Sequence, residues 1–337
     1  MPVVAMDLGG TKLATALVDE AGEILERESV ALDGRAGHDV GALVLERYAA
    51  MRARAAPGVP CPVGVTVPGL YRVTRGTVWA PNIRGWDDFP LRDLLREAIG
   101  PDVPVVIDSD RAAYILGETW RGAAAGARDA VFIAVGTGIG AGILVEGRVL
   151  RGHTDTAGAI GWLALDRPFR EPYPSCGCFE HHASGPGLAK VARELLDATP
   201  EYRGGLRDVP ADTLAAPHLF AALDAGDPIA TRVFDDAVAF WGMAAANLVS
   251  LFNPEVIVFG GGVFGPAARF LDRIRAEATR WAQPIAIGQT RFVVSTLGGD
   301  AGLLGAARLA HLALAWDARV HQPRRLASDA PRPTEVV

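Results

Sequence analysis

Hydrophobic and polar positions change their period several times along the chain, and each change predicts an element. Val3–Met6 is a continuous apolar run, Asp7-Leu8-Gly9-Gly10-Thr11-Lys12 is a glycine-rich interruption, and Leu13–Val18 is apolar again. This predicts a strand, a tight turn and a returning strand, which is a hairpin and not a strand-to-helix phosphate loop. The unit recurs as Val131–Val135, Gly136-Thr137-Gly138-Ile139-Gly140 and Ala141–Val145, so a duplicated architecture is expected. Between the two units, helical spacing covers Val40–Ala55, Leu91–Ala98 and Asp110–Trp120, with buried strands at Val63–Val67 and Val105–Ile107. Residues 150 to about 184 show no period and are long for a loop, which points to function there. A helix at Pro186–Ala198 follows, then helices through Asp227–Phe252, a strand at Glu255–Phe259 closed by Gly260-Gly261-Gly262, a helix at Gly265–Trp281, a strand near Arg291–Ser295 and a helix at Ala301–Ala315. Alternating strands and helices predict α/β layers. The Pro/Arg/Ser-rich tail at 322–337 is expected to be disordered.

Composition narrows the class. With 337 residues, half of them hydrophobic and 21% charged, the chain can bury a large core, and its length suggests two domains. The net charge of −6 and the absence of basic runs exclude a nucleic-acid footprint. Apolar runs are too short to span a membrane, and the chain starts on a strand without a charged leader, so a cytoplasmic protein is expected. Three cysteines do not make a disulfide framework and fit a reducing compartment. Among 33 basic residues the only lysines are Lys12 and Lys190, which makes each of them conspicuous.

The turn Asp7–Lys12 offers an anion the backbone N–H groups of Gly9 and Gly10 without a Cβ in the way, with Thr11 and Lys12 as further donors. Asp7 suits a metal-bound phosphate, directly or through water. Alone, the segment is equally a tight hairpin. Two more glycine turns at strand ends, Gly136–Gly140 and Gly260–Gly262, favour phosphate and nucleotide binding. Asp110 follows the strand at Val105–Ile107 at the mouth of a helix, where α/β proteins place ligands, though an aspartate at that point also suits an N-cap.

Read in order, D-L-G-G-T-K at Asp7–Lys12, V-P-G at Val67–Gly69, A-P-N-I-R-G-W at Ala80–Trp86, D-S-D-R-A-A at Asp108–Ala113, G-T-G-I-G-A-G at Gly136–Gly142, A-G-A-I-G at Ala157–Gly161, C-G-C-F-E-H-H-A-S-G at Cys176–Gly185, N-P-E-V-I-V-F-G-G-G at Asn253–Gly262 and G-D-A-G-L-L-G-A-A at Gly299–Ala307 make the chain resemble the ROK proteins (repressors, open reading frames and kinases) up to about residue 312. The resemblance implies an α/β fold of the actin-like ATPase (hexokinase/ribonuclease H-like) type, with two domains around a cleft. These are 1–112, completed by part of the helix at about 301–316, and 113–300. It implies a cytoplasmic, homodimeric sugar kinase that uses ATP and Mg2+. Asp7, Gly9, Gly10, Thr11, Lys12, Gly136, Thr137, Gly138, Gly261 and Gly262 would bind the nucleotide. Asn82, Ser109, Asp110, Asp155 and Glu180 would bind the sugar, with Asp110 as base, ionised at neutral pH with help from the helix dipole.

Departures from the family pattern cluster at the sugar. Family members carry G-E-I-G-H, whose glutamate binds sugar hydroxyls and whose histidine ligates a structural zinc; Ala159 and Trp162 stand there instead. Of the family's zinc thiolates only Cys176 and Cys178 remain, so no metal site is expected, and this loop should be held by packing around Trp162, Phe169, Tyr173 and Phe179. The N-D-A-N run has become Ser109-Asp110-Arg111-Ala112. An ordinary phosphoryl donor and an unusual acceptor follow from this pattern: a glucose-like sugar or an aminosugar such as kanosamine, with Asp108, Asp155 and Glu180 to receive an ammonium group. Two alternatives are a ROK repressor, for which Asp7 leaves no room for a preceding helix-turn-helix, and a sugar-binding regulator of weak catalysis.

Overall fold

The computed structural model describes residues 1–55 and 61–320; the tail expected at 322–337 lies outside the described residues. The first half builds strands β1 (Val3–Leu8), β2 (Lys12–Val18) and β3 (Ile24–Ala31), helix α1 (Gly37–Arg52), strands β4 (Val63–Val67), β5 (Leu70–Arg72) and β6 (Thr77–Trp79), helix α2 (Leu91–Ile99), strand β7 (Val105–Ser109) and helix α3 (Asp110–Arg121). The second half builds β8 (Ala130–Val135), β9 (Ile139–Val145), β10 (Arg148–Val149), helices α4 (Tyr173–Cys176), α5 (Cys178–Ala183), α6 (Gly185–Ala198), α7 (Ala216–Asp224) and α8 (Pro228–Phe252), strand β11 (Val256–Gly260), helices α9 (Leu271–Trp281) and α10 (Pro284–Gln289), strand β12 (Arg291–Val294) and helix α11 (Ala301–Val320).

Two five-stranded sheets result, ordered β3-β2-β1-β4-β7 and β10-β9-β8-β11-β12. Both have the same pairing. The hairpin strands run antiparallel, β1 with β2 and β8 with β9, and two parallel neighbours follow on the other side, β4 and β7 in one sheet, β11 and β12 in the other. The duplication expected from the two glycine hairpins is therefore a duplication of whole sheets. β4 and β11 are buried along their full length, which is why they read as unbroken apolar runs.

Between the sheets lie α3 and α11. One face of the first sheet packs Val3, Ala5 and Ala16 on Leu303, Ala306 and Ala310 of α11, while α3 sends Ile115 and Leu116 into the core of the second sheet with Phe132 and Val258. The helices touch through glycine. A Cβ on Gly117 would fall 2.7 Å from the Ala301 carbonyl oxygen, and one on Gly305 would fall 2.0 Å from that of Ala113. The outer faces are covered by α1 and α2 on one side, with Trp86 stacked on Phe89 at 4.3 Å, and by α5, α6 and α8 on the other.

Several expectations are corrected. The helix read as starting at Gly265 is a 3-10 turn, Pro266–Phe270, leading into α9. The stretch from 150 to 184 contains α4 and α5. Its packing rests on Tyr173 and Phe179, both buried, whereas Trp162 is 53% and Phe169 74% exposed. β3 carries charge along its length and pairs with β2 alone, so it lacked the apolar run of an inner strand.

Candidate active site

β7 ends on Ser109, whose Oγ accepts from Ala112 N at 3.4 Å and caps α3. Asp110 is consequently the first helical residue and not the cap, and its carboxylate is released from the capping role that the sequence left open. Asp110 lies on the floor of a cleft of about 640 Å3, whose walls carry Asn82, Arg111, Gly136, Thr137, Gly138, Thr156, Ala159, Trp162 and Glu180. Part of its surface meets solvent, but protein surrounds it at longer range. Burial pushes its carboxyl up to about 6, opposed by the Arg111 guanidinium and N–H and reinforced by Asp7 and Asp108. The carboxylate expected to ionise easily is thus a weaker acid than expected, because desolvation outweighs the helix terminus.

Glu180 reaches the cleft from α5. Its Oε2 accepts from Ile139 N at 2.7 Å, and a Cβ on Gly138 or Gly161 would fall within 3.0 Å of that oxygen. Burial raises its pKa, opposed by the Ile139 N–H and Lys190. Asn82 stands at the opposite lip, where a Cβ on Gly10 would fall 2.9 Å from its own, so the first glycine turn and the acceptor wall touch.

The first turn closes through Gly9 N donating to Lys12 O at 2.9 Å, and the second through Gly136 N donating to Gly138 O at the same distance. Thr11 and Lys12 are exposed. Asp7 accepts from Thr66 Oγ1 at 2.7 Å, and its Oδ2 has no hydrogen-bond partner among the described residues. A Cβ on Gly302 would fall 2.3 Å from that oxygen, so the carboxylate lies in a cradle that only glycine leaves open. Burial raises its pKa against the Thr66 hydrogen bond and Lys12. These residues fit a magnesium nucleotide: a carboxylate oxygen without a hydrogen-bond partner among the described residues, directly preceding a glycine turn. A second cavity of about 880 Å3 shares Gly136, Thr137 and Gly262 with the cleft and runs on to Gly185, Pro186, Lys190, Arg193 and Pro217. Gly261 joins these turns at φ +90°, with its Cα side against the Val135 carbonyl. Lys190 and Arg193, which line this cavity, are not among the residues the sequence singled out for the site, although the rarity of lysine in the chain was a signal for the first.

Asp155 does not join the cleft. It sits with Asp108, Ser109, Tyr71 and Arg151 at a separate void of about 20 Å3, and its Oδ2 accepts from Val73 N at 3.1 Å. Asp108 is buried and held by Arg151 at 2.8 and 2.6 Å. The residues present do not fit the zinc site that the family resemblance implies. His182 Nε2 is bonded to Tyr173 Oη at 2.8 Å and its ring stacks on Phe240 at 4.4 Å, with burial pushing its pKa down to about 4. His181 is buried beside Glu194, and among the described residues no cluster of three His, Cys, Asp or Glu could hold a metal.

Two sheets of repeated topology, each opened by a glycine hairpin, and a cleft lined by the Gly136–Gly140 and Gly261-Gly262 turns with a carboxylate among its walls define a phosphotransferase of the actin-like ATPase fold. The chain belongs to the ROK family, whose model matches residues 3–313. It is 34% identical over 312 residues to a glucokinase of Halalkalibacterium halodurans, covering 90% of this chain and 92% of that one. Among solved structures it resembles the ROK hexokinase of Thermus thermophilus, at a TM-score of 0.76 and 33% identity, covering 94% and 99% of the two chains. It also resembles a ROK glucokinase of Streptomyces griseus in complex with glucose and AMPPNP, at 0.70 and 33%, covering 93% and 100%. No described helix is long and apolar enough to cross a membrane.

Proposed function

We propose that the chain is an ATP-dependent hexose kinase that transfers the γ-phosphoryl group to the C6 hydroxyl of a glucose-like sugar. The observation that carries this reading is the junction of two cavities at Gly136, Thr137 and Gly262, with Asp110 on the floor of one and Lys190 and Arg193 in the other. A sugar in the first and a nucleotide in the second would meet at the phosphates.

In this reading Asp110 accepts the proton of the attacking hydroxyl. A base titrating near 6 is largely ionised at pH 7 yet still basic enough to take a proton, the compromise that general-base catalysis favours. Asn82 can donate to and accept from sugar hydroxyls, and Glu180, fixed by Ile139 N–H, accepts from them at the other side. The turn N–H groups that no backbone partner takes, those of Gly10, Thr11, Thr137 and Gly138, together with Lys12 and Lys190, hold the triphosphate. Asp7, directly or through water, is the residue that would hold Mg2+, which supplies charge neutralisation for the phosphates when bound.

An aminosugar such as kanosamine finds fewer free carboxylates than the sequence suggested. Asp108 is paired with Arg151 and Asp155 is turned to Val73, which leaves Glu180. The reading therefore favours a neutral hexose over an ammonium-bearing one. A homodimer in the cytoplasm belongs to the same reading. The test is a coupled ADP-release assay over glucose, mannose, N-acylhexosamines and kanosamine. We expect the highest kcat/KM on a neutral hexose with a free C6 hydroxyl; transfer to none of these sugars sinks the kinase reading, and a preference for kanosamine sinks the neutral acceptor.

A further inference from the structure

The Ser109-Asp110-Arg111-Ala112 segment places a guanidinium one residue after the candidate base. Arg111 lines the cleft beside Asp110, Gly138 and Glu180. Its stem runs over the flat face of β9, where a Cβ on Gly140 would fall 2.5 Å from its Cδ and one on Gly142 would fall 2.1 Å from its carbonyl oxygen. Gly140 makes room for this stem, and Gly142 for the α3 backbone that carries it.

The guanidinium has no ion pair or hydrogen bond among the described residues, and it stays half-buried. The neighbouring carboxylates are engaged elsewhere. Asp108 takes Arg151, Asp110 Oδ1 takes the Arg111 backbone N–H at 2.7 Å, Asp155 takes Val73 N, and Glu180 takes Ile139 N. A planar cation with five donors, partly desolvated, within the field of Asp110 but hydrogen-bonded to no carboxylate, has its fork free to receive an anion in this cleft.

We propose that Arg111 is a further catalytic residue of the transfer, its guanidinium meeting the phosphoryl group as it passes from ATP to the acceptor. This rests on the kinase reading above. The acceptor oxygen forms a bond to the γ-phosphorus and gives its proton to Asp110. The bond from the γ-phosphorus to the β–γ bridging oxygen breaks, and its electron pair leaves on ADP. Asp110 marks the reacting oxygen, so the anion nearest both it and its sequence neighbour is the phosphoryl group in flight. Negative charge spread over that group's equatorial oxygens is what a fixed guanidinium stabilises more in the transition state than in the ground state.

The experiment compares wild type with Arg111→Ala and Arg111→Lys in kcat, KM for ATP, KM for the best hexose and Tm. We expect Arg111→Ala to lower kcat by about 10²–10³-fold, the range for a lost transition-state donor, with KM for the hexose within about threefold. Arg111→Lys keeps charge and stem but loses the fork, so it should recover only part of the rate. Millimolar guanidinium added to Arg111→Ala should restore activity, an effect that a packing role does not produce. If Arg111→Ala folds poorly, Arg111→Lys still decides, because a lysine variant at wild-type kcat overturns the proposal. It is also overturned by an Arg111→Ala kcat within threefold of wild type, or by a loss confined to the sugar KM, which would mark an acceptor contact. Absence of transfer by the wild type on any sugar sinks the kinase reading and the proposal together; transfer by the wild type that Arg111→Ala retains within threefold sinks the proposal alone.

Discussion

At the scale of single residues, Asp110 is asked to do work that the fold resists. Its folded-state pKa of about 6 lies above the ordinary 3.8, so between those values the folded protein holds a proton that the unfolded chain has lost. Stability therefore falls as pH rises through that window and stays lower above it. Asp110→Asn removes the charge without touching the cap, because Ser109 supplies it. We expect this variant to lose about 10²–10⁴-fold in kcat, the range of a lost general base. We also expect it to melt higher than wild type at pH 8, with the gap closing toward pH 4. A variant with wild-type kcat would remove Asp110 from the mechanism. The wild-type kcat/KM should fall as pH drops below about 6, as Asp110 takes its proton.

At the scale of elements, the α3–α11 crossing and the α4–α5 loop carry the next expectations. The Ala113 carbonyl leaves 2.0 Å for a Cβ at Gly305, and backbone on both sides cannot swing away as a long side chain can. Gly305→Ala should cost about 1–3 kcal/mol in denaturant unfolding, the usual range for overpacking, and an unchanged midpoint would mean the helices separate freely. The loop is fastened by side chains: His182 between Tyr173 and Phe240, and Trp241 Nε1 donating to Ala183 O at 3.2 Å. Purified protein should carry well under one zinc per chain, and EDTA should leave its Tm unchanged. Stoichiometric zinc by elemental analysis, or a melting point lowered by chelation, would contradict this account.

For the whole molecule, Asp108 at the end of β7 is tied to Arg151, which follows β10, and the turn after β5 is tied to the same segment through Val73 N and Asp155, beside a void separate from the cleft. Burial raises the Asp108 pKa and Arg151 lowers it, so removing the cation leaves a buried carboxylate without compensation. Arg151 is about one-third exposed, which places the expected loss for Arg151→Met at about 1–3 kcal/mol, below that of a fully buried pair. The loss should grow with rising pH as Asp108 ionises and shrink toward pH 4. Equal destabilisation at pH 4 and pH 8 would show that Arg151 acts through packing. Glu118 near the end of α3 ties that helix to the segment after β12. It is fully buried and satisfied by Ala123 N at 2.7 Å on one oxygen and by Ser295 Oγ and Leu297 N on the other.

Local chemistry made much of this readable before any coordinates. The apolar runs of β1, β4, β8 and β11 are strands because strands buried on both faces have no polar side to show, and the glycine turns announce themselves because backbone must approach a ligand or neighbour there. Asp110 was legible as a candidate by type and position and Glu180 through the resemblance, and both line the cleft. Asp155 was legible as a carboxylate but not as one turned toward Val73, since its partner lies 82 residues away. In the same way the exposure of Trp162, the place of Lys190 in the second cavity and the absence of a hydrogen-bonding carboxylate at the Arg111 guanidinium depend on which distant segments meet. The sequence by itself determined the elements and the kinds of chemistry available, because period, turn residues and side-chain type act within a few positions. Only the tertiary structure decided which charges are paired, buried or free, because burial and pairing are properties of contacts between residues that the chain keeps far apart.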